Sequence, residues 1–290
     1  MENKLLHIPV LLSEVVKIMD PAPGKMYIDA TLGFGGHTLE LLKAGASVVG
    51  IDQDADILEL AQKRITDSGL SSNFTSIRSS FASALKGDRL ESSKYSGVLM
   101  DLGVSSYQLD TPERGFSFRH DAPLDMRMNK DLAVTAKDLI NGLGKNELIE
   151  LFGTLGEEYA AKKIAAAIVD ARKSKPIETT AELASLVARN VTRSKSHLHP
   201  ATKVFQALRM AVNSEREELK AALPSAWSKL TSGGALVVIS FHSLEDEIVK
   251  NFFANLNDAQ EASDVITPTL DEQYDNRRSR SAKLRYERKA

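Results

Sequence analysis

Two hundred and ninety residues, 42% of them hydrophobic and 26% charged, are ordinary for a soluble globular protein and suffice for one large domain or one domain with a smaller companion. The absence of cysteine excludes disulfides, thiolate metal sites and a cysteine nucleophile, and suits a reducing, cytoplasmic setting. A formal net charge of −2 excludes a surface that is basic all over, so a polyanion must be met by local patches.

The opening "MENKLLHIPVLLSEVV" has an apolar run broken by His7, Pro9, Ser13 and Glu14, with neither a basic leader nor a cleavage site, so no signal peptide is expected. No run approaches the roughly 18 apolar residues that span a bilayer. Strand and helix signals then alternate. "MYIDAT" (26–31) reads as a strand and "HTLELLKAG" (37–45) as a helix ending on glycine. "SVVGID" (47–52) is a second strand, and "ADILELAQKRITDSG" (55–69) is a helix with Ile57, Leu58, Ala61 and Ile65 on one face. "NFTSIRSS" (73–80) and "SGVLMDLG" (96–103) are the third and fourth strands. This rhythm predicts a doubly wound, parallel α/β sheet.

From about Tyr107 to Phe205 the strand pattern stops. A polar loop, "PERGFSFRHDAPLDMRMNK", precedes the helical segments "TAKDLINGL", "KNELIELFGTLGEEYAAKKIAAAIVDARK" and "TTAELASLVARNV". After a long predicted helix, "QALRMAVNSEREELKAALPSAWSKL", a fifth strand returns in "GGALVVISFHS" (233–243). The expectation is an α/β domain made of residues 1–106 and 206–290, with an all-helical domain, 107–205, inserted between the fourth and fifth strands.

Ligands of open α/β sheets bind at the carboxyl ends of the strands. "DATLGFGGHT" (29–38) lies there, its glycines admitting a ligand close to the backbone and the next helix offering free N–H groups. Asp52, 19 residues after Gly33, ends the second strand where such folds place an acid for ribose hydroxyls. Gly33 and Gly35 fit a dinucleotide fingerprint, but Thr38 replaces its third glycine. The spacing D-x-x-x-G-x-G looks instead like the S-adenosylmethionine loop of amino-group methyltransferases; a plain structural turn is the competing explanation. Phe81, after the third strand, either flanks an adenine or belongs to the core.

The fourth strand ends on Asp101. An acid there suits methylation of a ring amino group, whose lone pair is delocalised: accepting its N–H raises electron density on nitrogen. Asp101 alternatively caps the next turn or binds the cofactor's amino group, and the proline-aromatic motif of DNA amino-methyltransferases does not follow it.

Four strings make the resemblance specific: "DLGVSSYQLD…ERGFSFRHDAPLDMRMN", "HPATKVFQALRMAVNSEREEL", "GGALVVISFHSLEDEIVKNFF" and "RSRSAKLRYERK". From about His7 to Arg288 the chain resembles the small-subunit ribosomal RNA cytosine-N4-methyltransferase family (RsmH, also called MraW). The resemblance implies a class I S-adenosylmethionine-dependent methyltransferase domain, Rossmann-like, with an inserted helical domain. It further implies S-adenosyl-L-methionine as methyl donor and, as acceptor, a cytidine of 16S rRNA or the small ribosomal subunit near the decoding centre. Carried over by motif, Gly35, Gly36, His37, Asp52, Phe81, Asp101 and Gln108 contact the cofactor. Tyr107 departs from the family's usual proline and Ala122 from its usual glycine.

Arg114, Arg119, Phe116 and Phe118 with Asp125 and Arg127 form a mixture that suits an unpaired base and its phosphates, or a solvated loop. "SFHSLEDE" places Ser240, His242 and Ser243 at the end of the fifth strand. No G-x-S-x-G elbow supports a nucleophile, which leaves helix capping by Ser243 or a substrate contact by His242. The histidines are scattered, and His197 and His199 lack nearby acids, so no metal site is expected. Two basic stretches are candidates for RNA. Residues 183–214 hold Arg189, Arg193, Lys195, Lys203 and Arg209 without an acid, and 277–289 hold seven basic residues against Glu287. A DNA amino-methyltransferase and a non-catalytic RNA-binding assembly factor are the alternative functions, and a homodimer stays open.

Overall fold

The computed structural model of the chain describes residues 9–191, 199–262 and 264–290. Arg193, Lys195 and His197 lie outside the described residues. Two compact units emerge: residues up to Gly103 together with those from Arg216 onward, and the continuous stretch Val104–Glu215.

The first unit begins with helix α1 (Leu12–Met19) and then alternates β1 (Met26–Asp29), α2 (Gly36–Lys43), β2 (Ser47–Asp52), α3 (Ala55–Asp67), β3 (Phe74–Arg78), α4 (Phe81–Lys86) and β4 (Tyr95–Asp101). The side chain of Asp54 accepts the Asp56 N–H to start α3, and Ser80 accepts the Ser83 N–H to start α4. Along each strand the side chains alternate between two faces. Ile28, Val98, Met100, Leu236 and Val238 are buried in one cluster with Leu219, Leu223 and Trp227. Tyr27, Leu99, Val237 and Ile239 are buried in another with Val15, Leu39 and Leu41. Strands apolar on both sides require cover on both sides, which is why the parallel sheet and its flanking helices form together.

Val104–Glu215 is helical: α5 (Ser106–Asp110), α6 (Ala136–Gly142), α7 (Lys145–Thr154), α8 (Ala161–Ala171), α9 (Thr180–Asn190) and α10 (Thr202–Val212). Its own core contains Ile140, Leu148, Phe152, Ile164, Ile168 and Leu183, all almost fully buried. Val204, Phe205, Leu208 and Val212 of α10 belong to that core, so the unit continues past Phe205, where its end was expected. Two predicted helices are also divided. Residues 145–173 break at Gly156, and 206–230 break at Ser214, whose φ of 50° ends α10 before α11 (Glu215–Lys229).

The first unit then resumes with β5 (Leu230–Ser240), α12 (Ser243–Ala254), β6 (Ala259–Ala262), α13 (Leu270–Asp275) and β7 (Lys283–Lys289). The sheet order is β3-β2-β1-β4-β5-β7-β6; β1 to β5 pair in parallel, and β7 runs antiparallel between β5 and β6. Strand β7 gives much of the basic tail internal partners. Arg285 makes two bonds to Asp246 of α12 and Lys283 a third, Arg288 donates to the Ile18 carbonyl, and Lys289 to that of Trp227. These cations fasten the strand to its own unit; Arg277 and Arg280 remain exposed.

Candidate active site

The order β2-β1-β4 reverses the direction of winding between β1 and β4, the place where open α/β sheets bind ligands. Three carboxylates stand there, at the last residues of adjacent strands: Asp52 of β2, Asp29 of β1 and Asp101 of β4. The loop between β1 and α2 crosses the same end. Gly33 and Gly35 adopt φ of 51° and 70°, a left-handed conformation that an L side chain disfavours. Helix α2 begins without a side-chain cap, leaving its first N–H groups available to a ligand. Arg64 of α3 holds the loop by donating to the Phe34 carbonyl at 3.1 Å.

Asp52 is tied to this loop. Its Oδ2 accepts the Gly33 N–H at 3.0 Å and its Oδ1 the Asp54 N–H at 2.9 Å, so each oxygen keeps a lone pair for a further donor. Burial pushes the Asp52 carboxyl up to about 7, against the opposing pull of those two N–H groups. Asp29 is fully buried, and desolvation raises its pKa as well. The Thr38 hydroxyl donates to Asp29 Oδ2 at 2.7 Å. Thr38, which breaks the dinucleotide fingerprint, therefore has a task of its own: it ties the first turn of α2 to the end of β1.

Asp101 is fixed through its backbone, whose N–H donates to Thr31 Oγ1 at 2.6 Å. Its Oδ2 lies 3.6 Å from His37 Nε2. Among the described residues neither ring nitrogen of His37 nor Asp101 Oδ1 has a hydrogen-bond partner, although all three atoms are buried. Unmet hydrogen-bonding capacity of this kind is costly unless a ligand meets it. Phe81 opens α4 and is half-buried, packed against the neighbouring apolar cluster. Asp29, Thr31, Thr38 and Arg64 were missed as site residues from sequence. The nine-residue spacing of Asp29 and Thr38, strand end to helix start, was the available signal.

His242 caps α12, the role expected of Ser243: its Nδ1 accepts the Glu245 N–H at 3.3 Å. Its Nε2 lies 3.2 Å from Glu245 Oε1 and makes no hydrogen bond among the described residues.

The remaining predicted residues belong to the helical unit. Gln108 is buried in α5 and closes a capping box, its Oε1 accepting the Ser105 N–H at 3.1 Å and its own N–H donating to Ser105 Oγ. Arg114 is 5% exposed and donates to the carbonyls of Arg127 and Met128. Arg127 is likewise committed, with two bonds to the Asp125 carboxylate and two to the carbonyls of Lys130 and Leu132. The guanidinium beside Asp125 holds that carboxyl below its usual value. Phe116 is buried in the unit's core. Together these residues brace a loop in which Met126 adopts φ of 65°, so Arg114, Phe116, Asp125 and Arg127 each have a structural task in the helical unit. Phe118 is half-buried, its ring 4.7 Å from that of His199, and Arg119 beside it is exposed.

Tyr107 occupies the second position of α5, where no intrahelical partner exists for its N–H, so it costs no helix bond relative to proline. Ala122 needs no left-handed backbone and pairs with Thr180 through both its N–H and its carbonyl.

The model of the MraW methylase family matches residues 4–290. Curated relatives include Ribosomal RNA small subunit methyltransferase H of Carboxydothermus hydrogenoformans, 44% identical over 96% of each chain. The protein of the same name from Dictyoglomus thermophilum is 42% identical over 98% of this chain and 97% of its own. A crystal structure from Clostridium thermocellum carrying an rRNA-methylase name aligns over 98% of this chain and all of its own. Its TM-score is 0.50 at 15% identity, a likeness of fold. Among the described residues no helix is long and apolar enough to cross a membrane.

Proposed function

The chain belongs to the MraW methylase family, and from that premise we propose that it transfers a methyl group from S-adenosyl-L-methionine to the exocyclic N4 of a cytidine in small-subunit ribosomal RNA, near the decoding centre. One observation carries the reading: carboxylates end β1, β2 and β4 beside a bare glycine loop, and buried polar atoms of His37 and Asp101 lack partners. Clustered acids disfavour a pyrophosphate, so a dinucleotide fits poorly. They favour a ligand carrying a sulfonium and an ammonium.

The residues present fit S-adenosylmethionine, which supplies an electrophilic methyl group on sulfur. Asp52 accepts the ribose hydroxyls with its two remaining lone pairs. Gly35, Gly36 and His37 offer backbone close to the donor's chain, and Phe81 presents an apolar face to its adenine. Asp101 accepts an N–H, either of the donor's ammonium or of the target amino group. In the second role it raises electron density on a nitrogen whose lone pair is otherwise drawn into the ring. The rest of the rate enhancement comes from alignment of the two reactants. Gln108 holds the chain that follows β4 by capping α5.

The direct test incubates the protein with methyl-labelled S-adenosylmethionine and, in separate reactions, small-subunit rRNA and DNA from cells lacking the gene, then digests the nucleic acid to nucleosides. Label in N4-methylcytidine is expected. Label in DNA instead, or no transfer alongside normal RNA binding, replaces this reading with a DNA methyltransferase or an assembly factor respectively.

A further inference from the structure

The loop between α7 and α8 displays one aromatic ring to solvent in a manner the catalytic reading does not explain. Tyr159 is 98% exposed. The segment carrying it is nonetheless tightly held. Gly156 packs so closely on α10 that a Cβ there would lie 2.7 Å from the Lys203 carbonyl and 2.8 Å from that of Phe152. Glu157 adopts φ of 47°. The Glu158 N–H donates to the Phe152 carbonyl at 3.0 Å, and its carboxylate accepts the Ala160 N–H at 2.8 Å. Lys203 donates to the Glu157 carbonyl at 2.7 Å and sets its ammonium 5.0 Å from the centre of the Tyr159 ring. One face of the ring thus meets a cation and the other is open. Lys162 and Lys163, in the first turn of α8, are exposed immediately beyond.

A ring carried on a tightly held loop, with an open face and three lysines beside it, matches the chemistry of a single-stranded nucleic acid: a base stacks on the ring and its phosphates meet the cations. Glu157 and Glu158 are the acids within this loop, and the Glu158 carboxylate is turned onto the loop's own backbone. We propose that Tyr159, with Lys162, Lys163 and Lys203, is a stacking platform in the helical unit for an unpaired nucleotide of the RNA substrate. This rests on the RNA reading of the function.

The test titrates the full-length protein with a fluorescein-labelled single-stranded fragment of small-subunit rRNA. Tyr159→Ala weakens binding about 10-fold, while Tyr159→Phe and Tyr159→Trp stay within about twofold, because every aromatic ring stacks. The emission of the Tyr159→Trp variant is quenched by the RNA. Lys162→Ala with Lys163→Ala lowers the slope of log Kd against log salt by about 1.4. Affinity for S-adenosylhomocysteine, measured by calorimetry, is unchanged in each variant. Equal RNA affinity of wild type and Tyr159→Ala, with unquenched emission, overturns the platform and leaves the RNA reading standing. Wild type that binds no RNA at all overturns both.

Discussion

Two loops of this chain look alike on paper and behave as opposites. The loop after β1 and the loop after α5 are both polar, and each contains glycine, histidine and at least one acid. In residues 29–38 and at Asp101, buried polar atoms are left without partners. In residues 112–130 two of the three arginines, Arg114 and Arg127, are bound by carbonyls and a carboxylate. Polar composition therefore does not mark a binding loop. Hydrogen-bonding capacity left open at a strand-end crevice is the sharper sign, since a ligand or water entering there meets it.

The largest effect that could break this contrast is at Asp101. Asp101→Ala is expected to lower the rate of methyl transfer by 100-fold or more, roughly the effect of removing one well-placed electrostatic group, with little change in the unfolding midpoint. If unfolding shifts and turnover does not, Asp101 belongs with the bracing residues. Arg114→Ala should do the reverse. It leaves buried carbonyls without donors and is expected to cost about 2–3 kcal/mol in urea unfolding, while affinity for S-adenosylhomocysteine stays the same.

Asp52 sharpens the comparison through pH. Its carboxyl, raised to about 7, must be ionised to accept two hydroxyls fully, so donor affinity is expected to fall as pH drops through 7. Asp52→Asn weakens donor binding about 10-fold at pH 8 and removes most of that slope, as calorimetry across pH will show. Stability has the opposite sign. Between the usual carboxylate value and 7 the folded state holds a proton that the unfolded chain has released. This carboxyl's contribution therefore declines as pH rises through that window. The Asn variant flattens that part of the unfolding profile. The smallest effect is Tyr107→Pro, expected to stay within about 0.5 kcal/mol because the N–H it removes has no helix partner.

What was legible in advance follows the same division. Strands β1 to β5 are alternating or continuous apolar runs, and their period can be read directly. The glycine loop with Asp52 and Asp101 was legible because turn geometry and strand ends impose residue types at fixed spacing. Strand β7 was not, for "KLRYERK" has little apolar character, and its pairing depends on Asp246, distant in sequence. The internal partners of Arg114 and Arg127 were hidden for a related reason: whether a guanidinium faces water or a carbonyl depends on chain segments brought together only by folding. The break at Ser214 was hidden by the strong helical pattern on either side. There Asn213 turns to the loop after α5, accepting the Met128 N–H and donating to the Met126 carbonyl.

The sheet's connectivity also sets an order of assembly during synthesis. Strand β4 ends at Asp101 and its neighbour β5 begins at Leu230, with the whole helical unit translated between them. Val104–Glu215 is continuous and has its own core, so it can fold on emerging, while the first four strands wait with β4 as an open, apolar edge. Such an edge is a template for pairing with another chain. The nascent protein is thus most exposed to misassociation in the interval before β5 arrives, and faster passage through the inserted helices shortens it.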